Sequence, residues 1–71
     1  MNRFGEKLRD LRERRSITVR QLACILEIKS HSHIVGLEAN KHKPSADLIL
    51  KIADFFEVTT DQLMRDNLEI D

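Results

Sequence analysis

Between Thr18 and Glu38 the chain reads TVRQLACILEIKSHSHIVGLE, two short apolar patterns of helical period separated by a few polar residues. Leu22, Ala23 and Leu26 share one stripe of the first, and Ile34 and Leu37 share one stripe of the second, as a 3.6-residue period requires. A connection this short is too tight to be a linker. It makes the two helices meet at a turn and fixes one against the other.

The flanking segments supply a frame for that pair. Phe4, Leu8 and Leu11 predict a first helix over residues 3–15, with Asn2 as its N-cap. Thr18 and Gln21 have capping-box spacing for a second helix through Leu26. Ser30 caps a third, which ends at Asn40, a residue tolerant of positive φ. After the Lys41–Pro44 loop, Ser45 caps a fourth helix with Leu48, Ile52, Ala53 and Phe56 inward. Thr59 and Gln62 repeat the capping box before a short fifth helix around Leu63. No segment alternates like a strand, so the expected fold class is all-α, with five compact helices.

A chain of 71 residues, 41% hydrophobic and 34% charged, has room for one core and composes a globular domain. One domain over residues 1–71 is expected, its core at about 2–65 and a short tail at 66–71. The lone Cys24 cannot form an internal disulfide, no run approaches membrane-spanning length, and no signal segment precedes the first helix pattern. These features predict a cytoplasmic protein without a membrane association. The net charge of zero conceals a split. Through Lys43 ten Lys and Arg face five acids, whereas from Pro44 onward two face seven. One half is suited to a polyanion and the other to facing away from it.

The LRDLRERRSIT run, QLACILEI, HIVGLEAN, KPSADLILKIADFF and VTTDQLM, in that order and near that spacing, resemble the lambda-repressor-like helix-turn-helix family. That family includes phage repressors, Cro-type proteins, the xenobiotic-response-element class and small stand-alone regulators. The resemblance covers nearly the whole chain. It implies a sequence-specific transcriptional regulator, a repressor in most such proteins, that reads double-stranded DNA with the third helix as a homodimer on a pseudo-palindrome. Three positions depart from the family pattern. Glu27 stands at a turn position that is usually glycine, one extra residue falls within Glu27 to Ser30, and Val19 replaces a phosphate-binding Gln, with Arg20 beside it. Together the first two imply a nonstandard turn.

With Ile34 and Leu37 inward, Ser32, Val35, Gly36 and Ala39 fall on the opposite face of the third helix, with His31 on its flank. The expected base-reading set is His31, Ser32, Val35 and Gly36, the glycine by letting the backbone approach the groove. The expected phosphate set is Thr18, Arg20, Lys29, Ser30, Lys41, His42 and Lys43. The resemblance also implies that Glu38 faces inward and pairs with Arg12. Phe55, Leu63, Met64, Leu68 and Ile70 offer more apolar surface than the core consumes and are the expected dimer interface. The alternative at that end is a core Leu63 followed by a frayed tail.

Other chemistries find little support. His31 and His33 lie about 200° apart around a helix and cannot close one metal site together. Cys24, expected to be part-buried beside Arg20, reads as a packed thiol. No nucleophile has a base at usable spacing, so neither an enzyme nor a cofactor is expected, and no small-molecule effector is evident. An antitoxin-like protein-interaction module, with DNA binding secondary, is the competing reading. Only residues 65–71 would be available to hold its partner.

Overall fold

The computed structural model describes residues 1–71 and contains five helices, α1 (Phe4–Arg14), α2 (Val19–Ile25), α3 (His31–Glu38), α4 (Ala46–Phe56) and α5 (Thr60–Met64). There are no strands. Thr18 and Thr59 each close a reciprocal capping box, with Gln21 and Gln62 respectively. Ser30 accepts from the Ser32 amide and Ser45 from the Leu48 amide.

α1 begins differently from the sequence expectation. Its N-cap is Arg3 rather than Asn2, and no local side chain caps it. Distant residues perform that task. The Asp66 carboxylate accepts from the amides of Asn2 and Arg3, both at 3.0 Å. Asn40 Oδ1 accepts from the Gly5 amide at 3.0 Å, and Asn40 Nδ2 donates to the Asn2 carbonyl. Two of the free amides that a helix start presents, those of Arg3 and Gly5, are thus satisfied through tertiary structure.

The ends of the first four helices share one geometry. Ser16, Glu27, Asn40 and Glu57 all have φ between 56° and 59°, in the left-handed region. In each, the next residue's amide reaches back to the carbonyl five positions earlier, as Ile28 does to Ala23 at 2.8 Å and Ile17 to Arg12 at 3.1 Å. These are Schellman terminations built without glycine, each at a cost of roughly 1 kcal/mol. The nonstandard turn expected at Glu27 is therefore corrected: Glu27 keeps the left-handed conformation, and the chain then runs through Ile28 and Lys29 to the Ser30 cap. Ile28 packs partly against the core, which fixes the path of the turn.

The core holds Phe4, Leu8, Leu11, Leu22, Ala23, Leu26, Ile34, Leu37, Ile49, Ile52, Ala53, Phe56 and Leu63. On α4 the fully inward position is Ile49, whereas Leu48 is half-buried, a small rotation from the expected stripe. α1 crosses α3 at Gly5, where a Cβ would stand 2.7 Å from the Leu37 carbonyl oxygen and closer still to that of Glu38. Arg12 and Glu38 lock the same crossing. Arg12 Nε donates to Glu38 Oε2 at 2.7 Å and Nη2 to Oε1 at 3.1 Å, while Nη1 donates to the Ile17 carbonyl. The carboxylate raises the pKa of the guanidinium further above its ordinary value, chiefly through that hydrogen bond.

The segment after α5 is neither frayed nor free. Lys7, only 3% exposed, donates to the carbonyls of Gln62, Arg65 and Leu68. Its three donors are all used, which is what makes burial of an ammonium tolerable. Arg3 forms a two-pronged pair with Glu69, and Arg14 donates to the Ile70 and Asp71 carbonyls. Ile70 packs partly on the core. Leu63 is fully buried, so it is removed from the expected dimer interface, and Leu68 and Ile70 are half-covered.

This clamp is sensitive to acid. Two backbone amides hold the Asp66 pKa below its ordinary value, and the Arg3 hydrogen bond does the same for Glu69. A carboxylate with a depressed folded-state pKa stabilises the fold above its unfolded value, and that stabilisation is lost as pH falls through the folded one. The melting temperature is therefore expected to drop below about pH 4.5, where unfolded carboxylates take up protons first. Asp66→Asn should be less stable than the wild type at pH 6, and the gap should close toward pH 3. A gap that stays constant with pH would show that Asp66 does not act through its charge.

Candidate nucleic-acid interface

The clamp on α1 also determines which cations remain available. Arg3, Arg9, Arg12, Arg14, Lys51 and Arg65 all pair with carboxylates, and Lys7 is spent on carbonyls. Arg15 lies over the Phe55 and Phe56 rings, 5.1 and 5.2 Å from their centroids. Of the twelve Lys and Arg, that leaves Arg20, Lys29, Lys41 and Lys43. All four border α3: one on α2, one in the turn before α3, and two in the loop after it. The charge split visible in the sequence resolves into a neutralised α1 face and an uncompensated helix-turn-helix face.

At the N-terminal end of α3, Arg20, Lys29 and His31 line one shallow hollow together with Cys24 and Ile28. Cys24 is exposed rather than part-buried as expected. Thr18 is fixed by its capping box, its hydroxyl accepting from the Gln21 amide at 3.0 Å. The Ser30 and Ser32 hydroxyls hydrogen-bond each other at 2.6 Å, which restrains Ser32 at the start of the outer face. His31, Ser32, Val35 and Ala39 are at least partly open to solvent, Val35 at 52%. A β-branched apolar side chain held in water at that level on a well-packed helix is available for contact.

Gly36 departs from the expected arrangement. It is buried, because the imidazole of His42 lies directly over it, where a Cβ would collide with the ring. The His42 ring also stacks on that of His33, with centroids 5.1 Å apart and an interplanar angle of 18°. The bare-backbone approach expected at Gly36 is thus corrected: that part of the face presents a histidine supplied by the following loop. His33, which sequence reasoning paired only with His31 in considering metals, has His42 as its neighbour. His42 and Lys43 line a second hollow with Asn2, Phe4 and Asn40, which joins the loop to the start of α1.

Several of these features have faint or no traces in the sequence. Lys7 falls within the apolar i, i+3, i+4, i+7 stripe of Phe4, Leu8 and Leu11, and a lysine there marks a buried donor. Nothing in the local pattern marks the fold-back of His42. No helix is long and apolar enough to cross a membrane.

A family model described as a helix-turn-helix domain matches residues 5–69. No curated protein matches the chain.

Proposed function

This chain belongs to the helix-turn-helix domain family, and on that premise we propose that it is a sequence-specific DNA-binding repressor that inserts α3 into the major groove as a homodimer. The observation that carries this reading is the sorting of charge: the four cations left without acidic, carbonyl or aromatic partners all border α3. α3 has eight residues, about 12 Å at 1.5 Å per residue, comparable with the width of the major groove. His31, Ser32 and Val35 on its first turns meet base edges, where Val35 suits a thymine methyl and His31 a purine edge. Arg20, Lys29, Lys41 and Lys43 contact phosphates on either side and fix the register, with Thr18, Ser30 and His42 adjacent to them.

One domain reads few base pairs, so useful specificity calls for two copies on half-sites about one helical turn apart. Met64 on α5 and Leu50 on α4, 42% and 54% exposed, are apolar candidates for the contact between copies, with the half-buried Phe55 nearby in sequence. Leu68 and Ile70 contribute only their uncovered parts. A dimer on promoter DNA represses by occupying it.

Selection from a random duplex library at two salt concentrations, with the oligomeric state measured alongside, tests this. A pseudo-palindrome bound by two copies is expected. If a dimer neutralises six to ten phosphates, affinity should fall roughly 10³- to 10⁵-fold between 50 and 200 mM salt. Substituting Lys41 and Lys43 by alanine should weaken binding evenly across sequences and lower the salt slope by about one for each phosphate no longer neutralised. Binding that is flat in salt, or a library without enrichment, would reject the reading.

A further inference from the structure

We propose that His42 is a base-reading residue: its imidazole, seated on the bare backbone of Gly36, takes the place of the side chain α3 lacks there and donates a hydrogen bond to a purine edge. This rests on the DNA-binding reading above and adds to it a reader from outside the recognition helix. The loop is tied to α3 by its main chain. The amides of Lys41 and His42 reach the Gly36 carbonyl at 2.8 and 3.4 Å, so the loop and the helix move together. The ring is then fixed from two sides, by the Gly36 backbone beneath it and by the His33 ring stacked on it.

The position on the helix is what makes that ring useful. At 100° per residue, Gly36 lies about 40° around the axis from Ser32, so the imidazole joins the face that carries Ser32 and Val35. The edge of the ring containing Cδ2 and Nε2 faces Gly36, which turns the opposite edge, with the other ring nitrogen, outward. His42 is exposed as a residue. An imidazole N–H donates to an acceptor, and purine N7 is the acceptor that both guanine and adenine present in the major groove. Glycine at 36 is then a requirement of the seat, because any Cβ there occupies the volume of the ring.

The test is library selection with the full-length chain, comparing the wild type with His42→Ala and Gly36→Ala, after thermal melts establish that each is folded. Alanine suits a helix better than glycine, and its Cβ meets the tip of a side chain rather than backbone, so Gly36→Ala should fold. The wild-type motif should contain a purine-specific position in each half-site. Both variants should lose that preference, with affinity for the wild-type site down about 5- to 100-fold and the salt slope unchanged. A uniform affinity loss with a smaller salt slope would make His42 a phosphate ligand and overturn the proposal, as would a Gly36→Ala variant that keeps the preference. A motif that the wild type and His42→Ala enrich alike removes the role of His42 and leaves the DNA-binding reading standing. If the wild type enriches no motif, both fail.

Discussion

Glu38→Ala should cost about 3–5 kcal/mol, the range for orphaning one member of a buried ion pair, and should leave the helix-turn-helix unfolded or nearly so. The side chains of Arg12 and Glu38 are only 13% and 10% exposed, so water solvates the orphaned guanidinium poorly. A chain of 71 residues has a total stability of roughly 4–10 kcal/mol, which such a loss largely consumes. Urea denaturation should show the midpoint falling by half or more. The double substitution Arg12→Met with Glu38→Leu should recover much of the loss, because removing both charges also removes their desolvation. A Glu38→Ala protein that melts like the wild type but selects different DNA would place Glu38 among the base readers and refute the structural role.

Gly5→Ala should be nearly as damaging for a different reason. The added methyl group would meet the backbone carbonyls of Leu37 and Glu38, and neither can rotate aside as a side chain would. Relief requires α1 to move away from α3, which loosens the packing of Phe4 and Leu8 and stretches the Asn40 hydrogen bond to the Gly5 amide. Overpacking of this kind costs about 3 kcal/mol, and at 4–8 °C per kcal/mol the melting temperature should fall by roughly 12–24 °C. Gly36→Ala supplies the internal control, since its clash is with a side chain that can be displaced rather than with backbone. If the two alanine variants melt alike, the close approach of α1 and α3 is not what requires a glycine at position 5.

The helices, and the starts of α2 to α5, were legible in the sequence because both are local: Thr18 with Gln21, Ser30, Ser45, and Thr59 with Gln62 each act within three residues. The inner stripes of α2 and α3 follow from periodicity alone, and the structure buries Leu22, Ala23, Leu26, Ile34 and Leu37 accordingly. What escaped depends on interactions between distant parts of the chain. Asp66 caps a helix that begins 62 residues earlier, and Lys7 reaches carbonyls more than fifty residues away. Counting apolar residues therefore overstated the free surface near Leu63, which the core consumes. The same limit applied to the site. Small residues at Ser32, Gly36 and Ala39 read as an open face, because helical geometry cannot say that a side chain six positions later returns to fill one of them.

The left-handed residues that end α1, α2 and α4 are each followed by an aliphatic residue, Ile17, Ile28 and Val58, packed against the core. These pairs act as rulers for helix length. If a helix ran on by one residue, its aliphatic partner would rotate by about 100° and leave its site on the core, so the burial of one side chain sets where the backbone must stop. The termination signal is thus carried by the residue after the turn. Glycine is dispensable at the turn itself because the docked aliphatic side chain offsets the strain of the left-handed position, and the angle between α2 and α3 is metered by Ile28 rather than by the identity of residue 27.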